Sequence, residues 1–139
     1  MNPDLIGTWM LLSYEAQTPD GSVALPLGTD PIGYLTYSAD GRMSAAACSA
    51  AREPMGWQVG PGVDDKAAAY DSFIAYGGTW STTGNEVTHH LELCSVPIMT
   101  GTDVRRNFQV DGDRLLITLS HLGDGSDRPQ RLEWYRYKG

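Results

Sequence analysis

Basic charge and cysteine are both scarce in this sequence. Ten Lys and Arg stand against seventeen Asp and Glu, a formal net charge of −7, so the field of the molecule would repel a phosphate backbone and nucleic acid is not an expected partner. The two cysteines, Cys48 and Cys94, form no CxxC and no Cys/His ligand spacing. We expect reduced thiols that serve as small buried residues, since neither has the neighbouring base that a catalytic thiol needs.

Long apolar runs and cofactor motifs are also missing. The apolar stretches are only a few residues long, and Met1–Asp4 lacks the basic region and apolar run of a secretion signal, which predicts a cytoplasmic protein without a membrane partner. The sequence contains no internal repeat and no GxGxxG, Walker, HExxH or GxSxG pattern. We therefore expect neither a cofactor nor a metal.

What the sequence does contain is typical of one β-rich domain. Its 139 residues suit a single core, so residues 1–139 are taken as one domain. Sixteen Gly and eight Pro supply many turns, and segments rich in β-forming residues lie between them. The predicted strands are 5–15, 22–27, 33–37, 42–48, 79–82, 86–94, 103–110, 114–120 and 131–137.

One short helix interrupts the strands. Residues 52–63 read as an irregular loop, and Asp64 and Asp65 then open an Ala-rich segment in which Tyr70, Phe73 and Ile74 have helical spacing. Gly77 and Gly78 are predicted to end this helix. Because the remaining connections are short turns, the strands are expected to close into an all-β, up-and-down antiparallel barrel of about eight or nine strands.

A family resemblance rests on both ends of the chain and on the motifs between them. Gly7-Thr8-Trp9 matches the G-x-W signature of lipocalins, and Leu132–Arg136 is similar to their last strand. The order of the intervening motifs resembles the bacterial and fungal lipocalin-like domain family over nearly the whole chain. The motifs are Pro31-x-Gly33-Tyr34-Leu35-x-Tyr37, Asp40–Met43, Ala75–Gly78, Val87–His90, Gly101-Thr102 and Arg105-Arg106. The resemblance implies a structural plug, with Arg136 over the indole of Trp9 at the closed end of the barrel.

Strand alternation then identifies the side chains that face the barrel interior. The apolar set Val87, Leu91 and Leu93 has the parity of His89, which is therefore predicted to point inward while His90 points outward. The apolar set Val104, Phe108 and Val110 likewise includes Arg106 and leaves Arg105 outside. If the two strands pair, an imidazole and a guanidinium lie close together inside the barrel.

These two groups are the predicted catalytic pair, in a cavity with further ligand-binding residues. The predicted lining residues are Tyr37, Tyr76, Trp80, Phe108 and Leu91. A plain structural alternative is a satisfied polar core, in which Arg106 pairs with Glu15 or Asp103.

Two functions are consistent with this pattern. The first is a cofactor-independent cyclase, isomerase or dehydratase for a largely apolar, carbonyl-containing intermediate, as in natural-product biosynthesis, with His89 moving a proton and Arg106 stabilising an oxygen. Some small barrels of related architecture act in this way. The second is a carrier or sensor of a small hydrophobic acid. The enzyme is slightly favoured over the carrier. The sequence leaves open whether the protein forms a homodimer.

Overall fold

A computed structural model describes residues 1–52, 62–119 and 129–139 of the chain. After a 3₁₀ turn at Pro3–Leu5, the described elements are nine strands and one helix. In chain order they are β1 (Gly7–Gln17), β2 (Val23–Ala24), β3 (Ile32–Tyr37), β4 (Arg42–Cys48), α1 (Val63–Asp71), β5 (Phe73–Thr83), β6 (Glu86–Cys94), β7 (Asp103–Asp111), β8 (Arg114–Leu119) and β9 (Gln130–Arg136), with a second 3₁₀ turn at Pro97–Met99 after β6.

The strands form a closed antiparallel barrel. Strands β3 to β8 each pair with the next strand along the chain, and β1 pairs with both β3 and β9, which closes eight strands into a ring. The two-residue β2 adds to the far end of β1. The prediction of an up-and-down barrel of eight or nine strands is therefore confirmed, and closure leaves the ring without an unpaired edge.

The predicted plug is present where β1 begins and β9 ends. The Arg136 guanidinium carbon lies 4.1 Å from the centre of the Trp9 ring, and the two residues are direct cross-strand partners on β1 and β9. Trp9 donates its indole N–H to the Leu5 carbonyl at 2.9 Å, while Arg136 donates to the Ile6 and Asp4 carbonyls at 2.8 and 2.7 Å. The Arg136 guanidinium thus connects β9 to the N-terminal segment of the chain.

The helix differs from its prediction. It ends at Asp71, and Phe73 and Ile74 belong to β5, where they pair with Cys48 and Ala47 of β4. Helix α1 buries none of its residues, so it has no core face that would extend it, and the ladder with β4 takes the apolar residues instead. Of the predicted loop 52–63, residues 53–61 lie outside the described part of the chain.

Gly77 and Gly78 do not end a helix but lie inside β5 at a bulge. Opposite Gly78 the pairing skips one residue of β6, from Leu91 to Leu93, which reverses the facing of the next side chain. Leu93 is therefore 62% exposed, and its predicted inward position is wrong. A Cβ on Gly78 would lie only 1.9 Å from the His90 carbonyl oxygen, so this close approach requires glycine.

Two strand ends and the burial of the cysteines also differ from what the sequence predicts. The second strand is two residues long and not six, because the segment after it turns at Gly28, whose φ is +80°. Ser120, the predicted last residue of β8, lies outside the described residues. Cys48 and Cys94 are free thiols at the ends of β4 and β6 and are partly exposed, so the expectation of full burial is not met.

Candidate functional site

A mostly apolar cavity of about 240 Å³ is lined by residues of five strands, of the segment next to β2 and of α1. Pro26, Leu27 and Asp71 line it from outside the strands, and residues from β1, β4, β5, β7 and β9 complete the lining. The aromatic and polar lining residues that matter for recognition are Tyr14, Tyr76, Arg106, Gln130 and Trp134. An apolar enclosure with a few polar groups is the usual form of a small-molecule site.

Arg106 brings a positive charge to this cavity. It lies on β7 opposite Val87 of β6, and its guanidinium carbon is 5.8 Å from the centre of the Tyr76 ring. Its Nη1 atom is buried and has no hydrogen-bond partner within the described part of the chain. Asp103, one of the two acids considered as a partner, is instead 2.8 Å from His90 Nδ1 on the outer surface.

A second buried donor lies in the same lining. The indole nitrogen of Trp134 is buried and, among the described residues, also has no acceptor. A buried donor without an acceptor costs roughly 1–3 kcal/mol. Arg106 and Trp134 thus each contribute one buried donor that no described residue satisfies.

His89 is completely buried, and both of its ring nitrogens contact tyrosines. Its Nε2 atom is 2.6 Å from the Tyr37 hydroxyl oxygen, and its Nδ1 atom is 3.3 Å from the Tyr76 hydroxyl oxygen. Tyr76 lines the cavity, whereas His89 and Tyr37 are not among its lining residues. The Tyr76 side chain therefore lies between the His89 imidazole and the cavity.

Burial disfavours the charged forms of His89 and Tyr37. The pKa of His89 lies well below its ordinary value, first because of desolvation and then because of repulsion by Arg106 and His90. Desolvation raises the pKa of Tyr37 well above its ordinary value. Near neutral pH, His89 is therefore a neutral imidazole.

Tyr14 is a lining residue that strand parity missed. Trp9 and Leu11 face inward on β1, but a bulge between Leu11 and Ser13 moves the inward parity to Tyr14. The Tyr14 hydroxyl donates to Gln130 Oε1 at 2.9 Å, and desolvation raises its pKa despite the opposing effect of Arg106. Alternation alone carries no signal for such a bulge.

The other predicted site residues lie in the core. Trp80 and Tyr37 pack with their rings tilted by 51° and their centres 4.8 Å apart, and Trp80 donates its N–H to the Ser38 carbonyl. Phe108 and Leu91 are buried, but like Trp80 they are not among the lining residues of the cavity. The neighbours of the predicted pair lie outside, as parity predicts: Arg105 is exposed, and His90 contacts Ser81 and Asp103 on the outer surface.

The described residues provide neither a metal-binding cluster nor a membrane-spanning helix. Within 1–52, 62–119 and 129–139, no group of three or more His, Cys, Asp or Glu side chains has an arrangement that could hold a metal ion. The described helices include none with the length and apolar character needed to cross a bilayer.

Comparison with known proteins identifies the family of this barrel. Residues 6–137 match the family model of the lipocalin-like domain. The chain belongs to this family. The lipocalin-like β-barrel is a small-molecule-binding fold, and here the barrel carries both the Trp9–Arg136 plug and an apolar cavity.

Solved structures with this lipocalin-like architecture include two from Bacteroides. A lipocalin-like protein from Bacteroides uniformis ATCC 8492 is 14% identical, with a TM-score of 0.49, and the match covers 96% of this chain and 99% of the other. An uncharacterized protein from Bacteroides eggerthii DSM 20697 is 13% identical, with a TM-score of 0.47 and the same coverage. No curated protein matches the sequence.

Proposed function

We propose that this lipocalin-like barrel binds a small, largely apolar acid, with the carboxylate paired to Arg106 and the apolar part in the cavity. The observation that carries the proposal is the buried Arg106 Nη1 atom, which lacks a hydrogen-bond partner among the described residues and belongs to a side chain that lines an apolar cavity. A carboxylate is the natural complement of a guanidinium in such surroundings.

The apolar lining supports the same ligand class. Leu11, Leu132 and Ile74 contribute aliphatic surface, and Tyr14 and Trp134 contribute aromatic surface. Burial of apolar area on both partners contributes roughly 25 cal/mol per Å². The carboxylate would then orient the ligand in the cavity. The apolar part of the ligand would supply most of the contact area.

Octanoate is a suitable probe, since it combines a carboxylate with a short apolar chain. Isothermal titration calorimetry should show one site per chain, and Arg106→Leu should weaken octanoate binding by about 10- to 100-fold, the effect of losing a hydrogen bond to a charged group. Arg105→Leu is the matched control: it removes the same charge from the adjacent, exposed position and should change the affinity less than about twofold. Equal affinities for both variants would refute the proposal.

The contact between Tyr76 and His89 favours one second function, a cofactor-independent isomerisation or cyclisation of a bound carbonyl compound. In this function Tyr76, and not His89, would donate a proton to the substrate, because Tyr76 lines the cavity. Native mass spectrometry of the purified protein tests it: a co-purifying compound that changes into a product on incubation indicates an enzyme. An unchanged compound that exchanges reversibly indicates a carrier.

A further inference from the structure

The hydroxyl of Tyr37 has one partner within the described residues, His89 Nε2 at 2.6 Å. Tyr37 is fully buried, so its O–H must donate to that nitrogen or remain unsatisfied at a cost of roughly 1–3 kcal/mol. Donation from Tyr37 requires an Nε2 atom without a proton. In a neutral imidazole the proton then lies on Nδ1.

The proton on Nδ1 decides the direction of the next hydrogen bond. Nδ1–H donates to the hydroxyl oxygen of Tyr76, 3.3 Å away. The Tyr76 oxygen thereby accepts, and its own O–H is free to donate elsewhere. Because Tyr76 lines the cavity, the cavity is the place where an acceptor can meet this O–H.

We infer that His89 is a positioning residue which, through the directed chain Tyr37 to His89 to Tyr76, presents the Tyr76 hydroxyl to the cavity as a donor beside Arg106. This inference rests on the proposed function and narrows the ligand class. The head group must accept hydrogen bonds from a guanidinium and a phenol at once. A carboxylate does so, whereas an ammonium group has no lone pair to offer.

The geometry near Arg106 supports a shared head-group site. The guanidinium lies over the Tyr76 ring, 5.8 Å from its centre, so both donors belong to one part of the lining. Trp134 adds a buried indole N–H without an acceptor among the described residues. The guanidinium and the Tyr76 hydroxyl together favour an acceptor-rich head group.

The tautomer of His89 can be measured without any ligand. In ¹⁵N NMR spectra of the intact protein between pH 6 and 8, the two ring nitrogens of His89 should give the pattern of a neutral imidazole protonated at Nδ1. Tyr37→Phe removes the donor to Nε2, and the proton should then redistribute toward Nε2. An Nε2-protonated or charged His89 in the wild-type protein would overturn the inference.

Octanoate affinity supplies the second readout. Tyr76→Phe should weaken binding about tenfold, the effect of one hydrogen bond to a charged group. Tyr37→Phe, which lies outside the cavity lining, should weaken it about three- to fivefold through the redirected Tyr76 hydroxyl. Tyr34→Phe, on the exposed face of the same strand β3, is the control and should bind as the wild type does.

The variants separate this inference from the proposed function. If Arg106→Leu loses octanoate while Tyr37→Phe and Tyr76→Phe retain wild-type affinity, the inference fails and the proposed function stands. If Arg106→Leu retains affinity, the proposed function fails, whatever the His89 tautomer. Loss in all three variants, together with an Nδ1-protonated imidazole, supports both.

Discussion

The burial of His89 makes the stability of the barrel sensitive to acid. Its pKa in the folded state is lowered well below 6.5, whereas in the unfolded chain it keeps its ordinary value. Above about pH 6.5 both states are neutral and the residue adds no pH dependence. As the pH falls below that value, the unfolded chain gains a proton that the folded imidazole does not, and stability decreases by up to about 1.4 kcal/mol per pH unit.

Urea unfolding between pH 5 and pH 8 measures this slope. His90→Gln should retain the slope that belongs to His89, because His90 lies on the outer surface. His89→Gln should have a lower free energy of unfolding at pH 8 than the wild type, because it disturbs the contact with Tyr37. Its free energy of unfolding should also lack the part of the pH dependence that is due to His89. A wild-type slope in His89→Gln would mean that other groups cause the acid sensitivity.

Strand parity explains how much of the site can be read from individual residues. It places His89 and Arg106 inside and Arg105 outside because β6 and β7 are regular over these positions. It cannot tell which inward side chain reaches the cavity and which lies behind another. His89 lies behind Tyr76, so its contact with the cavity depends on side-chain lengths and on barrel closure, which strand alternation does not encode.

At the scale of elements, the bulges limit prediction from sequence. β4 and β6 have the predicted ends, since turns and β-forming residues mark them. The bulge in β1 brings Tyr14 inward, and the bulge opposite Gly78 turns Leu93 outward. Both bulges follow from how neighbouring strands pair around a closed ring. Strand pairing also makes the helix shorter than predicted, because Phe73 and Ile74 pair with β4 and so belong to β5.

The glycine pair in β5 provides a matched test of the bulge. Gly78→Ala would place a Cβ 1.9 Å from the His90 carbonyl oxygen, so β5 and β6 must separate locally. We expect a loss of at least about 2 kcal/mol in the free energy of unfolding, in the range found for overpacked sites. Gly77→Ala meets its nearest atom at 3.5 Å and should change stability by less than about 1 kcal/mol.

Urea denaturation of the two variants gives the comparison directly. Similar losses at both positions would show that strand glycines in general, and not the close approach at Gly78, determine the effect.

At the scale of the whole molecule, we expect the plug residues to determine the stability of the barrel and the cavity residues to determine its ligand affinity. Arg136 ties β9 to both Trp9 and the N-terminal turn, and neither Arg136 nor Trp9 is among the cavity-lining residues. Arg136→Leu should lower stability by about 1–3 kcal/mol, since it removes a cation–π contact and leaves two carbonyls without their donor. Octanoate affinity at a temperature where the variant is folded should stay within about twofold of wild type.

Arg131 is the control on the same strand. Its ion pair with Glu133, at 2.7 Å, lies on the exposed surface, so Arg131→Leu should cost less than about 1 kcal/mol. Thermal unfolding and calorimetry of both variants measure the two quantities. An Arg136→Leu variant of unchanged stability and lost affinity would place the binding site at the plug and contradict the division.

The central claim is that Arg106 recognises the charged head group of a small apolar ligand inside the barrel. The most direct measurement is a cycle of four affinities, octanoate and octanol against the wild type and Arg106→Leu. The wild type should prefer octanoate by about tenfold or more, and Arg106→Leu should lose that preference while still binding octanol at close to wild-type affinity. An equal preference for octanoate in both proteins would contradict the claim.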